Sequence, residues 1–180
     1  MRKRKKIRRP GSSRSAIASR TNDRTVRRHL VKLLTSAEAH LGFDDAVEGF
    51  APQMRGMRPL GAAHTAWQLL EHLRICQWDI LEFSRDPHHI SPAFPDGLWP
   101  ATEAPPGNAA WKKSLATFRA GQRAMARLVA DPKRDLFARI HHPEANRHHT
   151  LLREALLLAD HNAYHIGQLV LLRRLLTATE

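Results

Sequence analysis

The stretch DHNAYHIGQ, residues 160–168, places two histidines four residues apart in a segment that is otherwise rich in leucine and alanine. On an α-helix, residues at this spacing lie one turn apart on the same face. Two imidazoles so placed can bind one metal ion. Two hydrogen-bond acceptors would satisfy a buried pair equally well, because polar groups removed from water need partners. The pair alone is therefore consistent with a metal site and also with two buried histidines held by hydrogen bonds.

A third histidine strengthens the metal interpretation. His72, in WQLLEHLRICQWDIL, lies beside the apolar stripe of a second predicted helix, between Leu69 and Cys76. One histidine from that helix and the pair His161 and His165 from another would form a three-imidazole site, which leaves a coordination position open for water or substrate. Taken singly, His72 is better explained as a core-edge histidine hydrogen-bonded to a neighbour, whereas together with the pair on the other helix the metal interpretation is favoured.

Apolar residues recur at helical spacing in four long segments, and no segment has the alternation of a strand. The predicted helices span about residues 23–41, 65–86, 108–129 and 151–176. Thr65 and Gln68 form a capping-box pattern at the start of the second helix, which Pro87 must end. Asn108 is the expected N-cap of the third helix. GFDDAVEGF, residues 42–50, is expected to form a short helical turn.

These segments predict an all-α four-helix bundle with long loops between helices 2 and 3 and between helices 3 and 4. In such bundles, metal and ligand sites are built from side chains on facing helices. The proline-rich loop, PHHISPAFPDGLWPATEAPPG, is long for a compact domain, which hints at a function. We assign residues 23–180 to the bundle domain and residues 1–22 to a disordered basic tail.

The net charge of +12 is concentrated in that tail. Residues 1–20 hold nine Lys and Arg and no acid, which leaves +3 for the other 160 residues. The tail favours non-specific, salt-dependent attraction to phosphates, and no helix–turn–helix or RNA-binding motif predicts sequence-specific nucleic-acid binding. No apolar run of 18 residues or signal-peptide core occurs, so we expect no membrane segment. The Arg- and Ser-rich tail without acids also resembles a transit peptide, but a cytoplasmic protein with a basic extension is the simpler interpretation.

The stretches AWQLLEHLRICQWDIL and LLREALLLADHNAYHIGQLVLLRRLL resemble the DinB-like family, including its YfiT-like metal-dependent branch. The resemblance covers about residues 25–176 and implies a four-helix bundle that holds a divalent metal with three histidines. These histidines correspond to His72, His161 and His165. One departure is Thr177, where the family has a glycine. Relatives in the wider group include transferases that use a low-molecular-weight thiol such as bacillithiol, mycothiol or glutathione.

Three neighbours are candidates for supporting roles. Glu71 and Asp160 each precede a proposed ligand by one residue, so each points about 100° away from it. Either carboxylate could instead orient an imidazole of a facing helix. For Glu71 a solvated or arginine-paired carboxylate is an equal alternative, whereas for Asp160, which lies in an apolar run, that alternative is less favoured. Tyr164 either reaches the pocket mouth or fills a packing gap, and packing is favoured.

Other residues are assigned structural roles, with one exception at the pocket mouth. Cys76 lies one turn beyond His72 and could face the site, although a buried, inert thiol is favoured. We expect a close approach of another element at Gly167, because glycine weakens a helix. His64 is a candidate for the pocket mouth. The tryptophans Trp67, Trp78 and Trp111 are expected to pack. Solvated loop histidines are expected at His88, His89, His141, His142, His148 and His149, and His29 and His40 should lie off the apolar stripe.

The histidine set favours a metal-dependent enzyme, and the family resemblance implies either a thiol-dependent S-transferase or a hydrolase. Its cofactor would be zinc, nickel, manganese or iron, joined in the transferase case by a low-molecular-weight thiol. A small-molecule substrate and a homodimer are expected. The alternative is a non-enzymatic bundle with a structural metal or none. Closed coordination by a fourth protein ligand would favour that alternative.

Overall fold

The computed structural model describes residues 11–178, with side chains from residue 20 onward. The helices are α1 (Gly11–Thr35), α2 (Phe43–Val47), α3 (Ala66–Arg85), α4 (Asn108–Ala130) and α5 (Leu151–Thr177). Short 3₁₀ turns lie at Pro52–Gly56 and Asp96–Leu98. No strand occurs among these residues. None of the described helices is long and apolar enough to cross a bilayer.

Four long helices and the short turn at α2 confirm the predicted bundle, and both long loops are present. The capping box at the start of α3 is complete. Thr65 Oγ1 accepts from the Gln68 amide, and the Gln68 side chain accepts from the Thr65 amide. The helix ends at Arg85, before Pro87, because proline cannot continue the hydrogen-bonded ladder.

The bounds of α1 differ from the prediction at both ends. The helix begins at Gly11, so residues 11–22, assigned to the tail, are helical, while residues 1–10 lie outside the described part of the chain. It ends at Thr35 instead of Leu41, because residues 35–41 are all exposed. A longer helix would bury no additional apolar side chains there. Because most helix stability in proteins comes from packing, the helix does not extend through these residues.

The start of α4 also differs slightly from expectation. Gly107 occupies the N-cap position, and Asn108 is the first helical residue. The Asn108 side chain does not cap the helix, because its Oδ1 accepts from Arg55 Nη1 at 2.8 Å.

Two apolar clusters form the core, with a polar layer between them. One cluster packs α2 against α3, α4 and α5 around Leu70 and Phe118. The other joins α1 to the opposite ends of the same helices around Leu81 and Leu158. Polar side chains of α3 and α5 lie between these clusters. They are His72 and Gln77 on α3 and His161, Asn162 and His165 on α5. The fold therefore holds a polar site inside the bundle, supported by packed side chains on both sides.

Candidate metal centre

Imidazoles of α3 and α5 meet in the polar layer. The Nε2 atoms of His72 and His161 are 3.1 Å apart, although the residues are 89 positions apart in sequence. The ring centroid of His165 lies 4.6 Å from that of His72 and 4.6 Å from that of His161. The structure thus brings together the three rings that the sequence selected.

Two of the imidazoles are oriented by carbonyl oxygens. His72 Nδ1 lies 2.8 Å from the Leu98 carbonyl oxygen, and His165 Nδ1 lies 2.7 Å from Gln168 Oε1. With the amide oriented this way, each Nδ1 carries the proton and donates it, since a carbonyl oxygen accepts only. The Nε2 lone pairs of His72 and His165 remain available for a metal, which is the outer-shell arrangement common among metal-binding histidines.

His161 has incomplete hydrogen bonding within the described protein atoms. Its Nδ1 is buried and has no hydrogen-bond partner. Its Nε2 faces that of His72, and two nitrogens bound at about 2.0–2.1 Å to one tetrahedral metal would be about 3.3 Å apart. The observed 3.1 Å is close to that value. The residues present therefore fit a divalent metal held through the Nε2 atoms of His72 and His161.

The electrostatics of the layer favour neutral rings. Burial, reinforced by the proximity of His165 and His72, lowers the pKa of His161 to about 4. Burial also lowers the pKa of His72 and of His165. Since a metal binds the neutral imidazole, these rings are in the binding form at neutral pH without first losing a proton.

Cys76 belongs to the same cluster. Its Sγ lies 3.5 Å from His72 Nδ1 and 3.8 Å from His72 Nε2. Ligand atoms of His72, Cys76 and His161 all lie within 4.8 Å of one another, and His165 is not part of this group. The sequence expected a buried, inert thiol. The thiol is buried, and burial raises its pKa to about 12, but it also lies against the His72 ring, which is the less favoured of the two expectations.

The proline-rich loop covers the histidines, and sequence reasoning missed the residue that does so. Trp99 stacks on His72 with ring centroids 3.8 Å apart and planes 3° apart, and its ring also stacks on His64 at 4.0 Å. The preceding residue, Leu98, supplies the carbonyl that orients His72. A lone tryptophan between the prolines of DGLWPATEAPP was the only sequence signal for this contact.

The three supporting candidates are placed differently from one another. Glu71 is buried and forms a bidentate ion pair with Arg74 at 2.9 and 2.7 Å, which is the second of its two predicted alternatives. Asp160 is exposed, contrary to the expectation that its apolar run would shield it, because it occupies the outer face of α5. Tyr164 is 64% exposed and contacts the His165 ring edge-on at 4.9 Å, so it lies at the rim of the cluster and does not fill a packing gap, which was the favoured expectation.

Two loop histidines predicted to be solvated are structural. His89 Nε2 lies 2.7 Å from Asp79 Oδ1, and the His89 side chain is only 6% exposed. His142 is buried, and its Nε2 donates to the His89 carbonyl at 2.8 Å. The bond between His142 and His89 joins the two long loops. The sequence does not show it, because the two residues lie in loops far apart along the chain. His29 and His40 are exposed, as expected.

A cleft of about 220 Å³ adjoins the cluster. His64 and Gln168 line it on the histidine side, and both are linked to the imidazoles, through Trp99 and through His165 respectively. This contact with His64 agrees with its predicted place at a pocket mouth. The other lining residues are small or apolar: Gly61, Ala62, Ala63, Leu69, Leu171, Leu172 and Leu175.

The fold and the site together describe a helical bundle with a candidate metal site, formed by histidines of α3 and α5. A family model described as the DinB superfamily matches residues 22–169. The chain therefore belongs to the DinB superfamily, as the resemblance of its third and fifth helices predicted. A search of curated proteins found no significant match, and neither did a search of solved structures.

Proposed function

We propose that this protein is a metal-dependent enzyme whose divalent metal is held by His72, His161 and His165. The observation that carries the proposal is the 3.1 Å approach of the Nε2 atoms of His72 and His161 inside the apolar bundle. One N–H···N hydrogen bond is enough to hold these two rings, and the His165 ring, 4.6 Å from both, completes the three-imidazole set of an open metal site. Membership of the DinB superfamily gives independent support.

The chain's own groups prepare the site. The Leu98 carbonyl and Gln168 Oε1 each accept an Nδ1 proton, which directs the Nε2 lone pairs of His72 and His165 inward. Trp99 covers the His72 ring and restricts water on that side. A bound divalent metal supplies Lewis acidity, and it lowers the pKa of a coordinated water or thiol.

The reaction we propose is transfer of a low-molecular-weight thiol to an electrophile, with hydrolysis as the second candidate. A small-molecule substrate would enter beside His64 and Gln168, and an apolar part of it would occupy the cleft. No separate nucleophile set accompanies the cluster among the described residues, so the chemistry depends on the metal.

The alternative remains a non-enzymatic bundle with a structural metal. A fourth protein ligand would favour this alternative, because structural zinc sites have closed coordination. Turnover of a thiol and an electrophile by the metal-loaded protein would distinguish the enzyme from the structural bundle, because a closed structural site would be inactive.

The decisive experiment measures the metal content of the untagged, full-length protein. Wild type, His72→Ala and His161→Ala would be reloaded with zinc, nickel, manganese or iron(II), and bound metal would be determined by elemental analysis. We expect one metal per wild-type chain and a loss in both variants. His29→Ala, which changes an exposed histidine of α1, is the matched control and should keep the metal.

A wild-type protein that refuses every metal would overturn the proposal. Loss of metal from His165→Ala would support the predicted third ligand, and full retention would remove His165 from the set. The proposed homodimer is tested separately by light scattering. The exposed apolar residues of α5 are candidates for its interface: Leu156, Leu157, Tyr164, Leu171 and Leu175.

A further inference from the structure

Two buried side-chain atoms of the polar layer have no hydrogen-bond partner among the described residues, and they belong to neighbouring residues of α5. They are His161 Nδ1 and Asn162 Oδ1. Asn162 is only 7% exposed. Burial lowers the pKa of His161 to about 4, whereas contact with the Asn162 side chain raises it, which places the amide beside the ring. Buried polar groups normally have partners, so this pair calls for an explanation.

A chain of amide hydrogen bonds fixes which atom of Asn162 is left without a partner. The Phe118 carbonyl can only accept, and Gln77 Nε2 donates to it at 2.6 Å. Gln77 Oε1 therefore accepts from Asn162 Nδ2, at 3.3 Å. Gln77 is 1% exposed and cannot reverse its amide without losing both bonds. The remaining atom of Asn162 is thus an oxygen, which accepts a hydrogen bond and cannot donate one.

The hydrogen bond between the two imidazoles fixes the proton of His161 in the same way. His72 Nδ1 donates to the Leu98 carbonyl, so His72 Nε2 carries a lone pair. At 3.1 Å from that lone pair, His161 Nε2 is the donor of the N–H···N bond. In a neutral ring, His161 Nδ1 then carries a lone pair too. Two acceptors, His161 Nδ1 and Asn162 Oδ1, are left without a donor.

Coordination through His161 Nε2 reverses this arrangement. The Nε2 lone pair is then needed for the metal, so the ring carries its proton on Nδ1 and can donate to Asn162 Oδ1. We infer that Asn162 is a positioning residue for His161, and that metal binding moves the His161 proton from Nε2 to Nδ1. The Nε2–H bond breaks and its proton passes to solvent, while Nδ1 takes up one proton, so the ring stays neutral. The inference rests on the proposed function in assuming that the cluster binds a metal.

Asn162 completes a set of oxygen acceptors around the three rings. The acceptors for the Nδ1 protons are the Leu98 carbonyl for His72, Gln168 Oε1 for His165 and, after the proton shift, Asn162 Oδ1 for His161. Acceptors of this kind orient metal-binding imidazoles and increase their affinity. Through Gln77, Asn162 also connects the site to the Phe118 carbonyl of α4.

Nuclear magnetic resonance of the histidine nitrogens reports the tautomer directly. We would label the untagged full-length protein with nitrogen-15 histidine, assign His161 by the signals lost in His161→Ala, and record spectra with a chelator and then with zinc. We expect His161 to carry its proton on Nε2 with the chelator and on Nδ1 with zinc. His72 and His165 should carry theirs on Nδ1 in both samples.

Substitutions of Asn162 test its positioning role. Asn162→Ala should weaken zinc affinity by about 10–100-fold, because the Nδ1 proton of His161 loses its acceptor. Asn162→Asp keeps an acceptor oxygen and should recover most of the affinity. Asn22→Ala, which changes an exposed asparagine of α1, is the matched control and should bind zinc like wild type. Equal affinity of Asn162→Ala and wild type would show that Asn162 does not position His161.

The outcomes distinguish this inference from the proposed function. Zinc binding to wild type with the His161 proton on the same nitrogen in both spectra would overturn the proton shift and leave a metal site in place. A wild-type protein that binds no zinc would overturn the metal site and the inference with it. The wild-type spectra need no variant, so they decide the proton shift even if Asn162→Ala does not fold.

Discussion

At the scale of single residues, the centre depends on groups that fix the imidazoles as much as on the imidazoles themselves. Gln168 is half-buried in the last third of α5, and its Oε1 lies 2.7 Å from His165 Nδ1. An acceptor on one ring nitrogen sets the tautomer and direction of the other. The side chain of Gln168 would therefore act on the proposed metal through His165 without touching it.

Replacing Gln168 tests this positioning role. Gln168→Leu should weaken zinc affinity by about 10–100-fold, because the His165 ring loses its acceptor. Competition with a chelating dye measures the change. Gln168→Glu keeps an acceptor oxygen and should bind zinc nearly as tightly as wild type. Equal affinity of Gln168→Leu and wild type would show that His165 is not positioned in this way.

At the scale of elements, a buried arginine holds α1 against the end of α4. The Arg27 guanidinium donates to three carbonyl oxygens, of Val129 at 2.8 Å, Asp131 at 2.9 Å and Arg134 at 2.6 Å. It also pairs with Asp23 one turn earlier on its own helix. The bond to Val129 satisfies a carbonyl in the last turn of α4, where the helix provides no internal partner, and the other two bonds hold the loop that follows the helix.

Removing that guanidinium should destabilise the fold. Arg27→Met keeps much of the side-chain volume but leaves the carbonyls without their donor, and we expect a loss of about 2–4 kcal/mol in the free energy of unfolding. Urea denaturation followed by circular dichroism measures it. The neighbouring Arg28 is exposed, so Arg28→Met should change stability by less than about 0.5 kcal/mol.

Two glycines inside helices differ in the space around them, so alanine substitution at each should change stability in opposite directions. A Cβ added at Gly121 would lie 2.7 Å from Gln77 Nε2, and that side chain is buried and donates to the Phe118 carbonyl at 2.6 Å. Gly167, expected from the sequence to mark a close approach, has nothing within 4 Å of such a Cβ. Its contribution is therefore only the weakness that glycine gives to a helix.

We expect Gly121→Ala to destabilise the protein by about 1–2 kcal/mol, because overpacking against a fixed side chain outweighs the gain in helix propensity. Gly167→Ala should stabilise it by about 0.5–1 kcal/mol through that propensity alone. The same urea titrations measure both. A stabilised Gly121→Ala would show that Gln77 moves aside at little cost.

At the scale of the whole molecule, α3 and α5 meet at the polar layer, and a ligand that joins them stabilises the folded state. A metal that binds only the native bundle contributes about 2.7 kcal/mol when its concentration is 100 times Kd. For a chain of this size, each kcal/mol raises Tm by about 2–4 °C. Coordination is thus linked to the stability of the entire bundle.

Thermal unfolding followed by circular dichroism checks this linkage. Zinc at about 100 times Kd should raise Tm by about 5–10 °C, and a chelator should reverse the shift. The shift should vanish in His161→Ala and persist in His29→Ala. An equal shift in both variants would place the stabilising metal elsewhere.

Helical periodicity, the Thr65 capping box and the Pro87 stop were enough to predict the four long helices and most of their ends, because these signals act within a few residues. The i, i+4 spacing of His161 and His165 likewise selected one face of α5. Only the tertiary structure decided which other side chains reach that face. It placed Trp99 over His72, Cys76 against the imidazoles and Asp160 in solvent, since helix rotation and loop path depend on packing between residues far apart in sequence.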